Sequence, residues 1–336
     1  MKTQDDDVVI SGCGVISPWG NSHEEVFKAL INEQKTDDNF KTVNDFDALK
    51  ILGKSGLRAM NRASKFGVCA ALDCLSDAQI EAAEIGDETG VVIGSHLGHM
   101  DDVEEFIQTI MEDGSYCLSP VKAGNGGINI MAATIGIRIG AKALNTTIHN
   151  SYTSGLDAVQ YSCRSLANNY AEYILAGGIE AGSRYCMEWH KTNGSIQAFE
   201  GAGMIFLEKQ RTALERGIKP LGVVKGYSTM SYYGVNSIIK SINLTLKSAG
   251  LGIESIDAFV GSGDFSVEQV EEKALSDLGY TGPSRFVRQI LGEGLSVNGI
   301  FQIMVGINFL QNGCRNVLVH VFGNNGSTSA MIFSSE

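Results

Sequence analysis

His149-Asn150-Ser151-Tyr152-Thr153-Ser154-Gly155, followed by Leu156-Asp157-Ala158-Val159, is the stretch on which the rest of the chain turns. An apolar run with strand character ends there and a helical pattern begins, so the joint needs a small residue, which Gly155 supplies. A strand-to-helix elbow of this kind presents one side chain at its tip and aims backbone N–H groups at whatever binds there. The tip residue is Tyr152.

Working outward, Val8 to Ile16 reads as a buried strand, closed by a turn at Pro18 and Gly20. Glu24 to Ile31 follows as a short helix capped by Asn21 or Ser22. Helical spacing marks Ala63 to Leu75, Asp101 to Met111 and Asn129 to Gly140, and Gly90 to Ser95 is a second strand. Beyond the elbow come helix Leu156 to Leu166, strand Tyr173 to Ala176 ending in Gly177-Gly178, and strand Met204 to Leu207. A second set repeats this order: strand Leu221 to Gly226, helix Val235 to Ala249, strand Ile256 to Val260, helices Val267 to Leu278 and Gly294 to Leu310, and strands Asn316 to Phe322 and Thr328 to Phe333. Two halves of similar order, 1–208 and 209–336 in one compact unit, predict an α/β protein built as a duplicated β-α-β architecture.

With 336 residues and 43% hydrophobic content, the chain can bury a substantial core. A net charge of −12 argues against nucleic acid and anionic membrane as main partners. Seven scattered cysteines without a C-x-x-C pair read as buried small hydrophobes rather than disulfides or zinc ligands. Asp5, Asp6 and Asp7 run straight into an apolar strand, which is the wrong order for a secretory signal, and no run reaches membrane-spanning length. The expected compartment is a reducing cytoplasm.

Several stretches together resemble the β-ketoacyl synthases of the thiolase fold. Val8-Val9-Ile10-Ser11-Gly12-Cys13-Gly14-Val15-Ile16-Ser17-Pro18-Trp19-Gly20 is similar to that family's opening strand and turn, and Ser151 to Ala158 to its nucleophile elbow. Leu175-Ala176-Gly177-Gly178-Ile179-Glu180-Ala181 is similar to the strand that follows. Glu200-Gly201-Ala202-Gly203 and Phe322-Gly323-Asn324-Asn325-Gly326 resemble two later glycine-rich signatures. The resemblance implies a thiolase-like fold layered as an α-β-α-β-α sandwich.

The same resemblance implies that condensation needs a cysteine, two histidines and a lysine, and none of them stands at its matching position. Tyr152 stands at the cysteine position; a phenol, with a pKa near ~10, is a far weaker nucleophile than a thiol near ~8.5. Val260 stands at the first histidine when Val260-Gly261-Ser262-Gly263-Asp264 is matched on its glycines. Arg288 replaces the lysine and Glu293 the second histidine. Asn324 stands where the family has a gating phenylalanine, which assigns Asn324 and Asn325, with Tyr152, to the substrate tunnel and its gate. The segment from Gly182 to Phe199 is short, which removes wall material from the pocket mouth.

A synthase-like chain without its nucleophile resembles the chain-length factors of type II polyketide systems, with features reminiscent of aryl polyene pathways. The resemblance implies a heterodimer with an active β-ketoacyl synthase, joined through Asn145, Thr146, Thr147, Ile148, His149 and Asn150, and an acyl carrier protein as further partner. The basic run Lys54, Arg58, Arg62 and Lys65 reads either as a solvated helix face or as a dock for that acidic carrier. No cofactor is implied. His96 and His99 lack an obvious third ligand, so no metal is expected. Two other readings stay open. One is a stand-alone acyl-transfer, decarboxylating or hydrolytic enzyme, with Ser151, Tyr152 or Ser154 served by His149; the other is a scaffold without influence on the product.

Overall fold

The computed structural model describes residues 6–34, 39–192, 197–263, 269–323 and 326–335. Twelve strands occur in chain order: β1 (Val8–Ile16), β2 (Phe40–Lys41), β3 (Thr89–Gly94), β4 (Asn145–Ile148), β5 (Tyr173–Glu180), β6 (Ala198–Phe199), β7 (Gly201–Lys209), β8 (Gly222–Ser231), β9 (Ala258–Gly261), β10 (Ser284–Phe286), β11 (Asn316–Gly323) and β12 (Ser327–Ser334). Ten of them form one sheet, β10-β9-β11-β12-β8-β1-β7-β5-β3-β4, while β2 and β6 pair separately.

The duplication is visible in the pairing. In the first five strands β4, β3 and β5 run parallel and β7 and β1 add antiparallel. The second five repeat this with β10, β9 and β11 parallel and β12 and β8 antiparallel. Only Val9↔Val223 and Ile10↔Gly222 join the two sets.

Helices Ser154–Ala167 and Ser296–Gln311 lie between the two sets of strands, in the largest hydrophobic cluster. Helix Ser296–Gln311 is buried at every position except Phe309 and Gln311, as expected of a helix that is apolar on all sides. Helices Arg62–Asp77 and Ile130–Ile139 cover the outer face of the first half, and Val235–Ala249 and Val270–Asp277 that of the second. The α-β-α-β-α layering expected of the fold is therefore present.

β1 is buried along its whole length, and its glycines admit the covering helix: a Cβ on Gly14 would stand 2.0 Å from the carbonyl oxygen of Ala70. Most expected elements occur within a few residues of their predicted ends. β5 differs, because it does not stop at Gly177-Gly178 but continues to Glu180, the glycines lying flat under Gly203 and Ser296. Helix Arg184–Thr192 and strand β10 were not anticipated. The seven cysteines are all free thiols, and only Cys117 is exposed. No described helix is long and apolar enough to cross a membrane.

Candidate functional site

The chain leaves β4 through a single 3-10 turn, Ser151–Thr153, and enters helix Ser154–Ala167. Its left-handed residue is Ser151, at φ 52°, rather than Gly155. Two hydrogen bonds hold that conformation: the Asn150 N–H donates to Ser154 Oγ at 2.8 Å, and Ser154 Oγ–H to the Ser151 carbonyl at 2.7 Å. Gly155 is small for a different reason. A Cβ there would meet the Ser296 carbonyl oxygen at 2.0 Å, so the glycine lets the two central helices cross closely.

Asp157, given no role in the sequence reading, anchors the turn to the second half. One carboxylate oxygen accepts from Asn150 Nδ2 and Thr153 Oγ1, at 2.8 and 2.7 Å. The other accepts from Thr229 Oγ1 and Ser329 Oγ, at 2.9 and 2.5 Å, reaching β8 and β12. Such an arrangement fixes the elbow as firmly as a catalytic one would require.

At the tip, the half-buried Tyr152 ring lies under the Arg288 guanidinium, 4.9 Å from carbon to ring centre. Arg288 forms a buried ion pair with Glu293 at 2.8 Å and donates to the Phe322 carbonyl at 2.9 Å. Glu293 also accepts from the Leu295 N–H at 2.7 Å and Asn298 Nδ2 at 2.9 Å. Burial above all, with the Glu293 charge adding and Arg288 offsetting part, pushes the Tyr152 hydroxyl up to about 12. At neutral pH the phenol is therefore protonated and not a nucleophile. Burial also raises the Glu293 carboxyl above its usual range, opposed by Arg288.

Three of the four positions where the family's chemistry was expected thus come together, as a stacked and ion-paired cluster. The fourth, Val260, is fully buried on β9 within the central apolar cluster. The first residue beyond that strand is Ser262, whose Oγ is buried without a hydrogen-bond partner among the described residues. Its carbonyl accepts from the Arg288 N–H at 2.8 Å, and its own N–H donates to Glu271. Sequence reading passed over Ser262 because glycine spacing, not the strand end, fixed the match. Asn324 and Asn325 lie outside the described residues.

β4 is the outermost strand of its half and pairs only with β3 among the described residues. Asn145 and His149 are exposed, and Thr146, Thr147, Ile148 and Asn150 are half-buried. The His149 ring faces His96, with ring centres 5.0 Å apart, while Ser154 Oγ is committed to Ser151. No hydrogen-bonded dyad of His149 with Ser151, Tyr152 or Ser154 occurs among the described residues. Nor do they contain a group of three or more His, Cys, Asp or Glu side chains able to hold a metal.

The basic run divides. Lys54 and Arg58 are exposed and Lys65 is half-buried. Arg62 has an inward partner. Its guanidinium donates through Nε and Nη2 to both carboxylate oxygens of the buried Glu200 and stacks over Phe66 at 4.7 Å. Glu200 in turn accepts from the Val43 and Gly182 N–H groups, so the pair ties three segments together. A lone arginine in a basic run carries no sequence signal of an inward partner 138 residues away.

Residues 33–213 match the model of the β-ketoacyl synthase N-terminal domain. The chain is 25% identical to 3-oxoacyl-[acyl-carrier-protein] synthase 2 of Vibrio harveyi, over 97% of this chain and 84% of that protein. It is 26% identical to the Synechocystis protein of the same name, over 74% of this chain and 70% of the relative. Among solved structures, a type II PKS acyl-carrier protein in complex with its ketosynthase bound to the hexaketide superposes with a TM-score of 0.88 at 22% identity, covering 98% of this chain and 99% of that one. The ishigamide ketosynthase/chain length factor gives 0.86 at 22% identity, again covering 98% and 99%. The matched model spans more than half of the chain, and the fold agrees along nearly all of it: this protein belongs to the β-ketoacyl synthase family.

Proposed function

We propose that the chain is a non-catalytic, chain-length-factor subunit that pairs with an active β-ketoacyl synthase and shapes the space in which the acyl chain grows. The observation that carries this reading is the cluster at the elbow. A protonated phenol, a guanidinium and its paired carboxylate occupy the positions of the thiol, lysine and second histidine, and they are stacked and ion-paired with one another. None is left to accept an acyl group or to relay a proton. Tyr152 plugs the acyl position of this subunit, which confines the acyl chain to the partner.

The edge strand β4 supports pairing, because an unpaired strand edge is a template for another chain. Helix Met100–Glu112 buries only Asp102, leaving Ile107, Ile110 and Met111 exposed, and Ile137 stands 81% exposed on the helix beside β4. Apolar side chains left bare, Ile137 among them next to the strand edge, suit a subunit interface. Lys54, Arg58, Lys65 and the partly exposed Arg62 are the cations of this run that we assign to an acidic carrier protein. The type II PKS and ishigamide structures that share the fold support a polyketide as the product class, and an aryl polyene is the finer form of that proposal.

The test is co-expression with a neighbouring cysteine-containing ketosynthase, then size exclusion and intact mass after exposure to acylated carrier protein. Co-elution with acylation of the partner alone is the expected result. A chain that elutes separately, or that becomes acylated itself, overturns the reading.

A further inference from the structure

Four of the six histidines, His96, His99, His149 and His190, gather beside the elbow. His149 follows β4, His96 and His99 lie on the loop after β3, and His190 lies on helix Arg184–Thr192. The His96 and His149 rings pack at 5.0 Å with their planes 31° apart. Next to them the Ser95 N–H donates to the Ile148 carbonyl at 3.1 Å, the last bond of the β3–β4 ladder. Ring pair and hydrogen bond together close the end of the edge strand onto the loop.

We propose that this imidazole pair is a proton-operated latch: neutral rings hold the end of β4 on the loop after β3, and protonation in mild acid releases it. Burial, then the neighbouring His149 and His99, push the His96 imidazole down to about 4, and burial with His149 lowers His99 as well. A solvated imidazole takes its proton near ~6.5, so opening the strand end is linked to proton uptake.

The other charged groups around the pair do not cancel this. Asp102 alone favours a charged His99. Glu180 and Asp101, raised by burial to about 7 and about 6, titrate in the opposite sense. Glu180, however, is held by Ser296 Oγ at 2.7 Å and by the His96 and Leu97 N–H groups, on the side of the loop away from β4. The charged neighbours of Asp101 are Asp102, Glu104, Glu200 and Arg62, none of them on β4. Asp157 holds Asn150 through a hydrogen bond that does not involve the rings, and Arg138 is directed to the Ser55 and Leu52 carbonyls. Arg184 reaches toward Glu104, and His190 faces His96 from its helix. Peeling β4 away therefore leaves the carboxyls in place and solvates the imidazoles.

One linked proton raises the opening constant about tenfold per pH unit below ~6.5, or about 30-fold by pH 5. Hydrogen–deuterium exchange of the purified full chain at pH 7 and pH 5, corrected for the intrinsic exchange rate, measures this directly. Peptides covering 143–150 should lose protection by that factor at pH 5 while those covering β1 and β7 keep theirs. His96→Gln should remove most of the acid response, and His149→Gln, at an exposed position, should lessen it by taking away the ring packed against His96. Equal protection at both pH values, the same response in both variants, or a loss spread over the whole chain would overturn the proposal. The strand is the one assigned above to partner pairing, which the latch would make acid-sensitive; the measurement uses the chain alone and stands whether or not that pairing exists.

Discussion

Removing Glu293 is the sharpest test of the cluster at the elbow. Its side chain is 4% exposed and that of Arg288 8%, with 2.8 Å between charged atoms. At an effective dielectric constant near 20, their attraction is about 6 kcal/mol, most of it offset by the desolvation of both ions. The pair as a whole therefore stabilises the fold little, whereas breaking it leaves a buried guanidinium with only the Phe322 carbonyl and two donors, Leu295 N–H and Asn298 Nδ2, without their acceptor. Glu293→Ala should cost about 3–5 kcal/mol. The double variant Arg288→Met/Glu293→Leu, which removes both charges and keeps the volume, should lie within about 1 kcal/mol of the natural chain. Equilibrium urea unfolding, read as a shift in midpoint at constant slope, measures both. A loss under about 1 kcal/mol for Glu293→Ala, or a double variant as unstable as the single, would show that the two groups are not a self-satisfying buried pair.

Other outcomes follow from the same geometry. Arg62→Ala should destabilise the chain by about 2–3 kcal/mol by stranding the buried Glu200, whereas Lys54→Glu and Arg58→Glu should change thermal stability little; scanning calorimetry of the three variants separates them. Gly155→Ala should cost roughly 1–3 kcal/mol in urea unfolding, because its methyl would collide with the Ser296 carbonyl; a neutral result would mean that the central helices are free to move apart. The Glu180 carboxyl sits at about 7 in the folded chain against an ordinary 4.5, chiefly through burial. The folded state holds that proton more tightly, so its stabilisation is complete below pH 4.5 and is lost as pH rises through about 7. Unfolding midpoints across pH 4.5 to 7.5 should fall more steeply in the natural chain than in Glu180→Gln.

The architecture was legible because its signals are local. Strands such as Val8–Ile16 are continuous apolar runs, helices such as Val235–Ala249 carry a clear period, and glycines mark close contacts of backbone with backbone. The absence of a thiol at Tyr152 needs no structure to be seen. Side-chain partnerships were not legible, because they join residues far apart in the chain. Arg62 read as a surface cation until Glu200 was found beneath it, and Gly155 read as a turn residue until Ser296 was found against it. The left-handed strain lies on Ser151, a residue that sequence statistics would not select for it.

By itself, then, the sequence determined the order of strands and helices and its repetition in two halves, since these follow from residue type and spacing, while the layering and the tyrosine at the nucleophile position were what the family resemblance implied. Only the tertiary structure decided what surrounds Tyr152. Tyr152 lies more than a hundred residues from Arg288 and Glu293, and a cation stacked on a phenol and paired with a carboxylate has meaning only once the turn after β4 and the helix after β10 are brought together. Burial there raises the phenol's pKa and makes the ion pair depend on both of its members, and burial is a property of the assembled core rather than of any residue in it.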